Sequence, residues 1–207
     1  MPQHPKEETR DRFLTEARAA FDAHGFDGTS MRQVASAAGR SLGNLRNYFP
    51  TKDDLFAAAC APALGDVQAA IEGLDVGQVP QKLEDLTRVD TAYVYMVAGY
   101  IERHRAPLAR LVSRSTGSRH ARWADDLFNA YVDLELRRLH AVRAAAPDWL
   151  VRAPSDQMVR ALCRMYFELA RDFILGHVDA PTFWATLREY DAFRHRGMRV
   201  YTEKDAP

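Results

Sequence analysis

The apolar positions of this chain recur at helical spacing almost from end to end, and no convincing run alternates with the period of a strand. Phe13, Ala17, Ala20 and Phe21 form a first stripe, closed by Gly25, with Phe26 placed to pack back on the last turn. Ser30, with Gln33 three residues on, is a capping-box start for a second helix that Gly39 ends. Ser41 caps a third short helix, which Pro50 terminates. Thr51 with Asp54 repeats the capping pattern and opens a fourth helix through Leu55, Phe56 and Cys60. Within it Pro62 is a start, a kink or a break before the segment continues to about Ile71.

Gly, Asp, Val and Pro then dominate residues 73–80, which reads as a loop. A longer amphipathic helix follows, with Leu83, Leu86, Tyr93, Val97, Tyr100 and Ile101 on one side. A short helix around 107–112 precedes a Ser/Thr/Gly-rich turn over 113–118. The next helix, about 120–145, carries Trp123, Leu127, Tyr131 and Leu134 and ends before Pro147. Pro154 and Ser155 open the strongest stripe, Met158, Leu162, Met165, Tyr166, Leu169 and Phe173. Asp179 and Pro181 suit the N-cap and first position of a last helix aligning Phe183, Leu187 and Tyr190, which stops near Gly197 before a polar, frayed tail. The expected fold is all-α: a three-helix helix-turn-helix domain over residues 1–55 and a helical domain over 56–207.

Composition narrows this little. The 207 residues are 47% hydrophobic and 27% charged, ordinary for a folded chain, and Lys+Arg and Asp+Glu both total 28. Distribution says more, because between Gly28 and Lys52 the charged side chains are Arg32, Arg40, Arg46 and Lys52, all basic. Cys60 and Cys163 lack CxxC or Cys/His ligand spacing and read as small buried residues of a reducing cytoplasm. The N-terminus is too polar for a signal peptide, and no apolar run approaches the roughly 18 residues of a membrane span, so a cytoplasmic protein is expected. Beyond residue 54 the histidines His104, His120, His140, His177 and His195 show no HxxxH spacing, and no nucleophile sits in an elbow-like context. No catalytic residue, metal or cofactor is expected.

Three short helices within about forty residues, with the tight Gly39-Arg40-Ser41 turn between the second and third, form a helix-turn-helix. In the segment Ser41–Phe49, Leu45 and Phe49 fall four apart and face the core with Val34, Ala35 and Ala38. Leu42, Gly43, Asn44, Arg46, Asn47 and Tyr48 are left on other faces. Gly25-Phe26, Thr29-Ser30, Val34-Ala35, Ala38-Gly39, Ser41-x-Gly43-x-Leu45 and Tyr48-Phe49-x-x-Lys52-x-x-Leu55 together resemble, in order and spacing, the N-terminal domain of TetR/AcrR-family transcriptional regulators. The resemblance covers roughly residues 9–58.

The resemblance implies double-stranded DNA as partner and roles for the matched positions. Arg32, Ser41, Asn44, Arg46 and Asn47 approach the major groove, where Arg suits guanine and Asn suits adenine. Thr29, Ser30, Tyr48 and Lys52 contact phosphates, and Gly43 lets the helix lie close to the duplex. Leu42 and Arg46 depart from the basic and aromatic residues common there: Leu42 loses a phosphate contact but can touch a thymine methyl, and Arg46 adds a donor. The resemblance also implies a homodimer on a palindromic operator, with Met158, Leu162, Met165, Leu169, Phe173, Phe183, Leu187 and Tyr190 at an interface of the last two helices. An intramolecular core is the alternative for each of these. A sensor pocket for an unidentified small-molecule effector is expected among Tyr93, Met96, Tyr100, His104, Trp123, Phe128, Tyr131 and Tyr166, with Arg110 as a further polar group; plain core is again the alternative. Ligand would favour a dimer whose recognition helices miss successive grooves, displaced through the helix that starts at Thr51. The competing reading is a helical interaction protein or non-specific DNA binder without ligand control.

Overall fold

The helix starts expected from the sequence are made by the side chains expected to make them. Ser30 Oγ accepts the Gln33 N–H at 3.2 Å while Gln33 Oε1 accepts the Ser30 N–H at 2.9 Å. Ser41 Oγ accepts from Asn44 N at 3.1 Å, and Thr51 and Asp54 cap each other. Ser155 Oγ accepts from Met158 N at 3.2 Å and Asp179 Oδ1 from Thr182 N at 2.9 Å. Each bond satisfies a first-turn N–H that no helical carbonyl can reach.

The structure, a computed structural model, describes residues 4–72, 83–145 and 147–202. Among the described residues the helices are α1 (His4–Gly28), α2 (Met31–Ala37), α3 (Leu42–Tyr48), α4 (Lys52–Glu72), α5 (Leu83–Arg103), α6 (Arg105–Ser113), α7 (Trp123–Ala145), α8 (Asp156–Leu175) and α9 (Ala180–Thr202), with no strand. The all-α expectation holds. The loop expected over 73–80 and the chain beyond 202 lie outside the described residues.

Two compact units divide the chain: residues 1–67 with 104–124, and residues 68–103 with 125–207. The boundary expected at 55/56 therefore falls elsewhere, and packing explains why. Phe56, Ala59, Cys60 and Ala63 of α4 are all 0–1% exposed and belong to the same buried set as Phe13, Phe21, Leu45 and Leu55. The Phe56 ring meets Phe21 edge-on at 5.0 Å and Phe26 at 5.4 Å. Each such ring buried contributes roughly 1.5–3 kcal/mol, so α4 cannot leave this core cheaply. Those neighbours also carry α4 unbroken through residue 62, where a proline break was one expectation. Burial raises the Cys60 thiol to about 12, which leaves it a neutral apolar residue.

Arg110 of α6 draws the 104–124 segment into the same unit. Its guanidinium is 6% exposed, with Nε and Nη2 on the two Asp22 oxygens at 2.6 and 2.9 Å and Nη1 on the Ala59 carbonyl at 3.4 Å. One side chain thus ties α1, α4 and α6 together. The Phe26 N–H also donates to the Arg114 carbonyl at 2.8 Å.

In the second unit, α8 packs against α9, and both against α5. Phe173 and Phe183 stack at 4.3 Å, fully buried, beside a buried Leu187. A second cluster joins Val132, Leu136 and Leu139 of α7 to Cys163 of α8. Helix α9 runs past Gly197, where the sequence suggested a stop, to Thr202. The Tyr201 carbonyl at its end accepts from Val151 and Arg152 N–H groups at 2.9 and 3.2 Å, so its last turn is held by the 151–152 segment.

The clamp on α6 makes a prediction. Asp22→Ala strands the Arg110 guanidinium inside the core and destabilises the first unit by about 2 kcal/mol, below the 3–5 kcal/mol of a fully buried pair because Asp22 is half exposed. Urea unfolding followed by circular dichroism measures it; an unchanged midpoint contradicts the clamp.

Candidate nucleic-acid interface and ligand cavity

The turn between α2 and α3 is set by Gly39, whose φ of 64° lies in the left-handed region that side chains avoid. Gly39 and Arg40 N–H groups bond back to the Ser36 and Ala35 carbonyls, both at 2.9 Å, and α3 departs within two residues. Leu45 at 0% and Phe49 at 3% exposure fix which side of α3 faces inward. Tyr48 lies 5.7 Å from the Phe13 ring and 6.5 Å from Phe49, half-buried, which ties the end of α3 to α1.

Ser41, Gly43, Arg46 and Asn47 are exposed, and Leu42 and Asn44 half-buried. Arg32 on α2 and Arg40 in the turn are also exposed. Asn44 Oδ1 is buried without a hydrogen-bond partner. A Cβ at Gly43 would meet nothing closer than Ser41 Oγ at 3.9 Å. The fold therefore has no need of glycine there, although glycine weakens a helix. Ser41 and Ser30 spend their hydroxyls on capping but remain at the surface.

Two expected phosphate contacts are corrected. Thr29 is 3% exposed, and its hydroxyl donates to the Gly25 and Ala20 carbonyls at 2.8 and 3.1 Å, closing the end of α1. Its environment is the interior, away from any phosphate. Lys52 directs its ammonium inward as well, to the Phe26 and Thr29 carbonyls at 2.9 and 3.1 Å and over the Phe26 ring at 4.1 Å. It staples the start of α4 to the end of α1.

Two cations that the sequence reading passed over stand beside α3. The Arg10 guanidinium lies 5.5 Å from the Phe49 ring, at the end of α3, and Arg12 Nη2 lies beside Gly39, just before its start. Both are exposed. Glu7, Glu8 and Asp11 around them hid the signal, since the local sequence charge is mixed.

In the second unit a cavity of about 140 Å³ opens between α5, α7, α8 and α9. Its wall is largely apolar, including Val94, Leu139, Val142, Trp149 and Met198. At its polar end sit Asp90, Glu135, Arg138, Arg194 and His195. Burial raises the Glu135 carboxyl, opposed by Arg138, and burial lowers His195, opposed by Asp191.

Of the residues expected at a pocket, only Tyr131 lines this cavity. Tyr93 and Tyr166 are buried core, with the Tyr166 hydroxyl donating to the Val94 carbonyl at 3.4 Å. Phe128 packs edge-on against Phe167 at 5.0 Å, and Met96 is 53% exposed. Tyr100 is half-buried on α5 and outside the lining. His104, Arg110 and Trp123 belong to the first unit, where Arg110 is spent on Asp22.

The expected interface residues also divide. Phe173, Phe183 and Leu187 are 0–1% exposed within one chain and so serve its own core. Leu162 and Tyr190 line the cavity, with the Tyr190 hydroxyl donating to the Leu162 carbonyl at 3.2 Å. Met158 and Met165 stay 44% and 49% exposed, with Leu169 half-buried. Residues 158, 162, 165 and 169 share one side of α8, adjacent to the side that carries the buried set Cys163, Tyr166, Ala170 and Phe173.

Residues 13–59 match the family model described as bacterial regulatory proteins, tetR family. The HTH-type transcriptional regulator PksA of Bacillus subtilis (strain 168) is 43% identical over 61 residues, which span 28% of this chain and 29% of PksA. Among solved structures, NalD, the secondary repressor of the MexAB-OprM multidrug efflux pump in Pseudomonas aeruginosa, is similar with a TM-score of 0.60 at 18% identity, covering 98% of this chain and 100% of that one. SmeT in its complex with triclosan is similar with a TM-score of 0.58 at 20% identity, covering 96% and 93%. Residues 13–59 are thus similar to the tetR family of bacterial regulatory proteins, and the chain as a whole shares the all-helical fold of NalD and SmeT.

Gly43 and Lys52 give opposite tests. Gly43→Ala raises stability by up to about 1 kcal/mol, because the added methyl faces away from the core, and a close approach of α3 to a duplex predicts that it also weakens DNA binding. A melt and a DNA titration on the same sample check both signs; equal DNA affinity contradicts the close approach. Lys52→Met lowers stability by about 1–2 kcal/mol through its lost bonds to carbonyls. An unchanged unfolding midpoint contradicts the staple.

Proposed function

We propose that the protein is a sequence-specific transcriptional regulator, a repressor that holds a palindromic operator as a homodimer and releases it when a small, largely apolar ligand enters the second unit. One observation carries the DNA part. Helix α3 is held by buried Leu45 and Phe49 while Gly43, Arg46 and Asn47 are exposed beside the cations Arg10, Arg12 and Arg40. Arg46 and Asn47 supply the donors and acceptors that read base edges in a major groove, and the flanking guanidinium groups supply phosphate contacts. The setting is the compartment that holds the genome; among the described residues no helix is long and apolar enough to cross a membrane.

The α8 face supports dimerisation. Met158, Leu162, Met165 and Leu169 lie along one side of the helix, and two of the four are about half exposed. A second copy covering this side would remove that surface from water and fix two recognition helices about one turn of DNA apart. The cavity supports ligand control, and SmeT, a fold relative, is known with triclosan bound. Ligand control further requires that the ligand bind the DNA-competent and DNA-released states unequally, with helix α4 as the route of displacement.

Fluorescence anisotropy with a selected operator tests the reading. Arg46→Ala costs about 1–3 kcal/mol on that site and relaxes preference at one base position. Binding of wild type weakens steeply with added salt. An Arg46→Ala protein that binds as wild type overturns the assignment of α3. For the dimer, Met165→Glu yields a monomer in sedimentation and loses operator binding; a Met165→Glu protein that stays dimeric places the interface elsewhere.

A further inference from the structure

The ionic cluster at the end of the cavity does not balance. Three carboxylates, Asp90, Glu135 and Asp191, share two guanidinium groups, Arg138 and Arg194. Asp90 is served on both oxygens, by Arg138 Nη2 at 2.6 Å and Arg194 Nη1 at 3.1 Å. Asp191 accepts from Arg194 at 3.1 Å and from Thr91, and His195 Nε2 lies 3.5 Å away. Among the described residues Glu135 has Arg138 alone, on Oε1 at 3.1 Å. The surplus negative charge therefore falls on Glu135, at the cavity wall and next to its apolar lining. A carboxylate so placed is held poorly without a further cation or hydrogen-bond donor.

Size limits what fills the space. The cavity of about 140 Å³ is close to the roughly 150 Å³ that accepts a benzene ring in an engineered protein interior. Tyr131, Trp149, Tyr190 and Tyr201 are aromatic members of the lining, a residue type whose ring attracts a cation. We infer that the cavity takes a small organic cation, a body the size of one aromatic ring bearing a single protonated nitrogen that docks against Glu135. An anion finds both guanidinium groups already ion-paired with carboxylates and meets the surplus carboxylate. Arg194 Nε, buried without a partner, is served by one acceptor atom on the same body. That need is the smaller one, because the guanidinium it belongs to is already paired with Asp90 and Asp191.

The inference rests on the second unit as the ligand-sensing part and names the class of ligand it senses. Calorimetric titration of the full-length protein near neutral pH with three one-ring probes tests it: benzylamine, benzyl alcohol and benzoate. Benzylamine binds roughly tenfold or more tightly than benzyl alcohol, and benzoate binds weakest. Glu135→Gln keeps the shape and the Arg138 contact but removes the charge, so benzylamine and benzyl alcohol then bind alike. Benzyl alcohol or benzoate binding wild type as well as benzylamine, or no probe binding at all, overturns the inference, as does a preference for benzylamine that survives Glu135→Gln. Should Glu135→Gln fail to fold by circular dichroism, Glu135→Asp, which keeps the charge, retains the preference if the inference holds. Operator release is read separately. Benzylamine that binds at Glu135 without releasing operator overturns ligand control but not the ligand class; benzyl alcohol or benzoate that binds more tightly and releases operator does the reverse.

Discussion

The exposed side of α3 depends on two buried side chains, Leu45 within this seven-residue helix and Phe49 at its C-cap. A helix that short does not form alone in water, because nucleation costs more than so few hydrogen bonds return. Leu45 and Phe49 supply what is missing by burying fully in the first unit, and the left-handed Gly39 lets the chain turn sharply enough to put them there. With those positions fixed, the helical period alone decides that Gly43, Arg46 and Asn47 look outward. The rest of the unit keeps that geometry in place: Lys52 and Thr29 close the end of α1, and Arg110 binds α1, α4 and α6 into one body.

The second unit solves a different problem. Its helices bury tyrosines and a mixed ionic cluster around a cavity, where charges interact more strongly than in water and imbalance is correspondingly harder to tolerate. Burial holds the Glu135 carboxyl above its ordinary range, against the pull of Arg138, which is the expected sign for a carboxyl group with one partner in an apolar surround.

Much of the fold was legible because local signals and tertiary packing agree. Ser30, Ser41, Thr51, Ser155 and Asp179 announce helix starts that their side chains then make. Helix α3 was legible for the same reason, since capping, turn glycine and apolar spacing coincide within twenty residues or so. What failed to show was three-dimensional pairing. Thr29 and Lys52 carry the residue types of phosphate contacts, yet their partners are carbonyls of α1 and the loop after it, which spacing does not reveal. Arg10 and Arg12 were masked by acidic neighbours. The aromatic stripe told that tyrosines lie inside, not which of them faces a cavity, and Asp90, Glu135 and Arg194 converge on that cavity from three helices. On α8 the stripe mixed two sides of one helix, the core set ending in Phe173 and the exposed set of Met158 and Met165.

Selection from a random double-stranded DNA pool by the purified full-length protein tests the central claim most directly. An outward-facing α3 in a two-fold assembly predicts enrichment of an inverted repeat with half-sites about one turn of DNA apart, persisting at moderate ionic strength. Recovery of DNA with no shared sequence, or of none at all, would contradict the account.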